Sequence, residues 1–273
     1  MSTRTIDTGT TELLCEIVDR VAMITLNRPQ ARNSLSDQLT PALRQMIKLT
    51  GDDPEVGSIL ITGAGSAFCA GGDVKGMGGG APKTDLTYDE RVATLRIRQR
   101  TLTGALVGVR KPTIAALPGP AAGAGMAIAL ACDIRIAAEN AFFAPAYGRI
   151  GASPDGGMTY FLPRVVGPSR ALEILLEDPN MSAAEALAER LVSEVAPGDE
   201  LMDRARQKAE KLAAMAPHYV RMAKILTGQS IENSLSDHLQ LERHGIADSM
   251  GTEDLRSGVQ AFFAGEKPEF EGR

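Results

Sequence analysis

The chain has 273 residues, a formal net charge of −5, no tryptophan and only 4% aromatic residues. That length fits a single α/β unit with an appended helical segment and can bury a sizeable core. The acidic balance provides no global field for nucleic acid or an anionic membrane, and the scarcity of aromatics argues against stacking platforms for single-stranded nucleic acid. The three cysteines, Cys15, Cys69 and Cys132, are far apart and odd in number. No pair has metal-ligand spacing, so no metal site is expected and a reducing, cytoplasmic compartment fits. Met1–Thr11 is polar and lacks the apolar region of a signal peptide, and no window is long and apolar enough for a transmembrane helix.

In chain order, Val21–Leu26 (VAMITL) is a short apolar run ending at the turn signal Asn27-Arg28-Pro29 and reads as a strand. Ser36–Leu49 has helical spacing at Leu39, Leu43, Met46 and Ile47; Ser36 can cap it, or Pro41 near a first turn sets the start at Thr40. Ser58–Thr62 reads as a buried strand, and a loop rich in glycine and alanine runs from Gly63 to Gly80. Asp89–Val109 reads as one long helix with apolar residues at Val92, Leu95, Leu102 and Leu106. Its Arg96 and Arg100 share a face while Arg98 points elsewhere; they read as solvated surface or as contacts to a ligand phosphate. Asp85, Asp89 and Glu90 read as first-turn acids of that helix.

The pattern then repeats: strand Thr113–Leu117, loop Pro118–Gly125, helix from Met126 to Ala131, and short strands at Ile134–Ala137 and Ala141–Phe143. Alternating strands and helices indicate α/β layering. After about residue 155 strand signals stop. Ser182 with Glu185 makes a capping box before Ala183–Leu191, Leu201–Met215 is amphipathic, and 217–264 reads as helical. The expected boundary between an α/β core, 1–198, and a helical C-terminal segment, 199–273, lies near residue 198.

Two segments can carry chemistry. Gly119–Gly125 (GPAAGAG) lies between a strand and a helix, with its backbone uncovered by side chains. First-turn N–H groups have no intrahelical partner and sit at the positive end of the helix dipole, so they can receive an anion or a developing oxyanion. The alternative is a tight turn with close helix packing. The spacing does not match a dinucleotide fingerprint, and no Walker lysine is followed by Ser or Thr. Ala67–Asp73 (AFCAGGD) has the same character, so the two loops can offer two converging donors. Cys69 reads as small buried filler rather than a nucleophile, because the first histidine is the distant His218; His218, His238 and His244 all fall in the helical C-terminal part.

Taken together, LNRPQARNSLS (Leu26–Ser36), GAGSAFCAGGDVK (Gly63–Lys75), KPTIAALPGPAAGAG and its helix through Asp133, RIGASPDGGMTYFLPRVVG (Arg149–Gly167), MSAAEALAERLVSEV (Met181–Val195) and AFFAGEKPEF (Ala261–Phe270) resemble the crotonase, or enoyl-CoA hydratase/isomerase, superfamily over nearly the whole chain and in order. The resemblance implies an α/β fold, a spiral of ββα units with a helical C-terminal trimerisation region, and a homotrimer or dimer of trimers. It implies an acyl-CoA thioester as substrate and no further cofactor. The thioester oxygen would accept from the N–H groups of Gly72 and Ala124, beside Gly123. The adenine end would lie near Ala31, Ala70, Asp73 and Val74, with Arg28 and Arg32 as phosphate neighbours. Lys267 either reaches a CoA phosphate, across a subunit contact, or is an exposed terminal lysine.

Hydratases of the superfamily carry two glutamates, which fall here at Ala127 and Tyr147. Alanine cannot move a proton, and a phenol is a poor base at neutral pH. Asp155, in the Pro154-Asp155-Gly156-Gly157 turn, sits where several isomerases of the family carry a catalytic aspartate. The set resembles enoyl-CoA and ring-epoxide phenylacetyl-CoA isomerases, with Tyr147 in the substrate site. Asp155 is either a single base for isomerisation or the N-cap of a helix beginning near Gly156. A hydratase using Asp155 or Tyr147, and a catalytically silent acyl-CoA binder, are the competing expectations.

Overall fold

The computed structural model describes residues 3–73 and 86–273; Val74, Lys75 and Asp85 lie outside them. Seven strands make the main sheet, in the order β1 (Thr3–Ile6), β2 (Leu13–Val18), β3 (Val21–Leu26), β4 (Ser58–Gly63), β5 (Thr113–Leu117), β7 (Ile134–Ala138) and β10 (Glu194–Ala196). The first two pairings are antiparallel and the rest parallel. Strands β2 and β3 meet through Asp19 and Arg20, both left-handed (φ 47° and 68°), the geometry that matches strand twist in a two-residue hairpin. A three-stranded sheet of β6 (Ala121–Ala122), β8 (Phe142–Ala144) and β9 (Met181–Ser182) lies beyond the main one.

Side-chain alternation divides the core between the two sheet faces. Ile59 and Ile61 of β4, with Ala115 and Leu117 of β5, join the larger core with α1 (Leu39–Asp52), α4 (Ala124–Ala131) and α5 (Met158–Val166). Leu60, Ile114, Ala116, Ile136 and Ala138 face the other way, onto Leu201, Ala205, Ala209 and Ala213 of α8 (Leu201–Ala213). These four recur every fourth residue on one helical face, and the small alanines allow close approach. A Cβ at Gly57 would sit 2.7 Å from the Ala213 carbonyl oxygen, and Ser58 Oγ donates to the Ala209 carbonyl at 2.9 Å. The sheet's second layer therefore extends past residue 198. Helices α9 (Pro217–Gln229), α10 (Leu235–Met250) and α11 (Glu253–Ala264) follow.

Several expected boundaries shift. The stretch 89–109 is two helices, α2 (Tyr88–Thr101) and α3 (Thr103–Gly108), broken at Leu102. Thr101 Oγ1 bonds back to the Ile97 carbonyl at 2.7 Å and Thr103 Oγ1 to the Gln99 carbonyl at 3.5 Å, a bonding that bends helices, and Gly104 follows. Leu102 and Leu106 are buried, whereas α2 buries no residue and leaves Val92 and Leu95 exposed. Glu90 closes a capping box with Thr87 at the α2 start. Strands also continue past residue 155, as β9 and β10. Helix α1 begins at Leu39, with Ser36 Oγ accepting from its N–H at 2.9 Å. Helix α6 (Pro168–Glu177) precedes β9, and α7 (Ala183–Ala188) opens on the expected Ser182–Glu185 capping box.

Candidate active site

The two glycine-rich loops are joined backbone to backbone. Phe68 and Cys69 N–H donate to the Pro120 carbonyl at 3.0 and 3.2 Å, and Ala122 N–H returns a bond to the Cys69 carbonyl at 2.9 Å. Gly123 N–H donates to Ala144 of β8 at 3.0 Å, which ties the second loop to the smaller sheet. A Cβ on Gly71 (φ 91°) would lie 2.8 Å from the Ala122 carbonyl oxygen and 3.3 Å from the Ala124 nitrogen, so only glycine permits this approach. The expected convergence of the loops is thus physical contact, not mere similarity of composition.

Helix α4 starts at Ala124, after Gly123 at φ 52° and ψ −126°, a conformation strained for any residue with a Cβ. Among the described residues, neither Gly72 nor Ala124 N–H donates to a backbone carbonyl. Both residues are half-buried rather than sealed. At the other end of α4, the Arg135 guanidinium donates to the carbonyls of Ala129, Leu130 and Cys132. A cation there complements the helix dipole and leaves the N-terminal end positive.

Asn33, which the sequence reading left unassigned, is the clamp behind the first loop. It is wholly buried in a left-handed conformation (φ 57°), donates to the carbonyls of Ala64 at 3.0 Å and Ala67 at 2.8 Å, and accepts from Arg28 N–H at 2.8 Å. Ala70 N–H donates to Arg32 and Leu35 N–H to Gly71, so LNRPQARNSLS is the backing strip of the loop. The signal was an asparagine in a turn, a residue that tolerates φ > 0.

The Arg28 guanidinium is paired within the chain. Its side chain is only 14% exposed, pairs with Glu12 at 3.2 Å and Asp73 at 3.3 Å, and donates to the Ser34 carbonyl at 2.7 Å. It is a strut that ties Asp73 to Glu12 and the hairpin. Arg32 is exposed beside half-buried Ala31 and Ala70, and Lys267 is exposed near the C-terminus.

Asp155 is exposed, and its carboxylate caps no helix: α5 begins at Met158 with Gly157 as N-cap and no side-chain cap bond. Its recorded side-chain partner is the Tyr147 hydroxyl, which donates to Asp155 Oδ1 at 2.7 Å. Burial first, and then the Asp155 charge, push the Tyr147 phenol well above its ordinary range, so it stays a donor. A Cβ on Gly156 would lie 3.2 Å from the Ala127 Cβ. The Asp155 turn therefore rests on the first turn of α4, three residues from Ala124.

Other candidates fall away on placement. Cys69 and Cys132 are fully buried and their thiols are pushed up to about 12, chiefly by desolvation, and Cys15 is pushed up to about 11. The native protein is expected to leave all three thiols unreacted with a disulfide reagent at pH 8, and to release three equivalents only in denaturant; a thiol titration that finds one fast-reacting group in the native state contradicts this burial. His218 contacts Gly245 and Arg221, and His238 lies near Glu242, all within the C-terminal helices. Arg96, Arg98 and Arg100 are exposed. A cavity of about 960 Å3 lies away from the loops, between α1 and α3, and is lined in part by Arg44, Lys48, Arg100 and Arg110. It contains none of the loop residues.

The structure thus brings together the two glycine-rich loops, the start of α4 and, in a loop packed against the first turn of that helix, the Asp155 carboxylate. Comparison with known proteins assigns the family. The enoyl-CoA hydratase/isomerase family profile matches residues 16–273, and the chain belongs to that family. It is 38% identical over 261 residues to a protein named probable enoyl-CoA hydratase from Mycobacterium tuberculosis, covering 96% of this chain and 98% of the relative. It is 34% identical over 265 residues to the 1,2-epoxyphenylacetyl-CoA isomerase of Escherichia coli, covering 96% and 98%. The crystal structure of an enoyl-CoA hydratase from Bacillus anthracis superposes with a TM-score of 0.85 at 31% identity, covering all of both chains. The fold is thus the crotonase-type α/β arrangement with a helical C-terminal region. No helix among the described residues is long and apolar enough to cross a membrane.

Proposed function

We propose that the protein isomerises a double bond in an acyl-CoA thioester through an enolate, with Asp155 as its single base. The observation that carries this reading is the Asp155 carboxylate. It is exposed and caps no helix, and the adjoining Gly156 packs against Ala127 in the helical turn that begins at Ala124. The positions of the family's two hydratase glutamates hold Ala127, which is fully buried, and Tyr147, whose hydroxyl is a donor.

In this mechanism Gly72 and Ala124 donate to the thioester oxygen, each worth about 3 kcal/mol as charge develops. Asp155 takes a proton from C2 of a 3-enoyl thioester. The C–H electron pair spreads over the oxygen and the four carbons to C4, and the same carboxylic acid returns the proton to C4. The adenine end of CoA runs past Ala31, Ala70 and Asp73, with Arg32 and Lys267 reaching phosphates. Exposed Phe262 and Phe263 of α11 and Leu235 of α10 support a homotrimer or dimer of trimers, and three buried free thiols fit a reducing cytoplasm.

Hydration is the second reading, favoured by the hydratase name of the Mycobacterium relative. Incubation with 2- and 3-enoyl-CoA esters in 18O-labelled and deuterated water separates the readings. Isomerisation gives a shifted double bond with partial deuterium exchange and no 18O, and hydration places 18O in a 3-hydroxyacyl product. Binding of the ester with no shifted double bond, no hydroxyacyl product and neither label incorporated identifies a silent acyl-CoA binder and overturns both.

A further inference from the structure

We infer that Tyr147 is the positioning residue that fixes the Asp155 carboxylate, engaging Oδ1 and leaving Oδ2 as the oxygen that carries the proton between substrate carbons. This rests on the reading of Asp155 as base. The residue stands at a position from which no proton can be supplied at neutral pH, yet its hydroxyl is aimed at the acid, 2.7 Å from Oδ1 and 3.3 Å from the Asp155 backbone carbonyl.

The local chain builds this contact. Pro145 and Ala146 follow β8, and Ala146 takes a left-handed conformation (φ 61°) with its N–H held by Asp178 Oδ1 at 2.6 Å. That brings the chain off the small sheet and turns Tyr147 into the short 3-10 turn Gly148–Ile150, where Ala152 N–H donates to the Tyr147 carbonyl at 3.0 Å. The Tyr147 ring packs against the larger core while its hydroxyl reaches the 151–157 loop. Asp155 itself is in an exposed loop with no other recorded side-chain partner among the described residues, so without this bond its χ angles are free.

The charged groups on the flanking elements are engaged elsewhere. Arg149 is held by Asp178 and Asn180, Arg164 lies over the Tyr160 ring and pairs with Glu232, and α4 presents only apolar side chains. Tyr147 is thus the polar side chain that orients the carboxylate. A phenol pushed up by burial and by the neighbouring charge keeps its proton through the cycle, so it neither gives nor takes one. Its effect is geometric: one oxygen is occupied, and the other is presented to both carbons in turn.

The test is Tyr147→Phe, which keeps the packed ring and removes only the hydroxyl. The expected result is a fall in kcat of about tenfold or more with KM nearly unchanged, since a hydrogen bond to a charged group is lost. A second readout follows the proton. With C2-deuterated substrate in ordinary water, the wild-type enzyme is expected to retain part of the label at C4, and Tyr147→Phe to retain less, because an unfixed carboxylic acid exchanges with solvent before returning its proton. Equal retention with unchanged kcat overturns the inference; so does a rise in KM alone, which marks Tyr147 as a wall of the acyl site. Asp155→Asn is run beside it. If that variant keeps full activity, the reading of Asp155 as base fails. If it is inactive while Tyr147→Phe matches wild type, only the positioning role fails. A thermal midpoint within a few degrees of wild type for both variants confirms that the comparison concerns folded enzyme.

Discussion

Asp155→Asn is expected to lower isomerisation by about 10²–10⁴-fold, the usual contribution of a positioned acid–base group, while leaving the fold and CoA-ester affinity close to wild type. The fold is expected to survive because the side chain holds nothing up. Gly157, not Asp155, is the N-cap of α5, and the bond from Met158 N–H goes to the Asp155 backbone carbonyl at 3.0 Å, which the substitution keeps. The amide oxygen of asparagine can still accept from Tyr147. What disappears is the capacity to hold a proton. The measurement is turnover of a 3-enoyl-CoA panel with binding of an unreactive CoA thioester measured by calorimetry. Lost turnover with retained binding assigns chemistry to the carboxylate; unchanged turnover removes Asp155 from the mechanism.

Why that residue was ambiguous in the sequence is instructive. Aspartate before a helix is a favoured cap, and Pro154-Asp155-Gly156-Gly157 matches such a start. Two consecutive left-handed glycines (φ 63° and 89°) carry the chain past Asp155 before the helix begins, and that path is invisible to a pattern of residue types. The partners of Arg28 were illegible for another reason: Glu12 and Asp73 arrive from 16 residues before and 45 residues after it, beyond any local pattern. Strands β3, β4, β5 and β7 were legible because a buried parallel strand is a near-continuous apolar run. Strand β2 is half-exposed, with the burial of Leu13, Cys15 and Ile17 alternating with Leu14, Glu16 and Val18, and the two- and three-residue strands β9 and β10 exist only through their pairing with β8 and β7. The glycine loops were legible as bare backbone. Their juxtaposition was not, because it depends on the Cys69–Ala121 bridge and on Asn33, both non-local.

That juxtaposition makes Gly125→Ala the second substitution with a large expected effect. A Cβ there would collide with the Cys69 carbonyl oxygen and come within 2.7 Å of the Cys69 Cβ and 2.8 Å of its carbonyl carbon. None of these atoms is the far end of a flexible side chain, so relief requires α4 to move away from the first loop. Cys69 is pinned by its N–H bond to Pro120, and Ala122 by its bond to the Cys69 carbonyl. The movement therefore falls on the spacing between the Gly72 and Ala124 donors. Overpacking of this kind costs about 1–3 kcal/mol of stability. Displacing one oxyanion donor lowers kcat by about 10²–10³-fold. The two effects separate in measurement: the thermal midpoint reports the first, and the rate of α-proton exchange per folded molecule reports the second. Gly108→Ala is the control, because no atom lies within 4 Å of its added Cβ at the end of α3, and it is expected to be neutral or slightly stabilising. A Gly125→Ala enzyme that exchanges the α-proton at the wild-type rate while folded shows that the loops do not act as paired donors. A loss of exchange well beyond the unfolded fraction ties the close approach of α4 to the Cys69 backbone directly to enolate stabilisation.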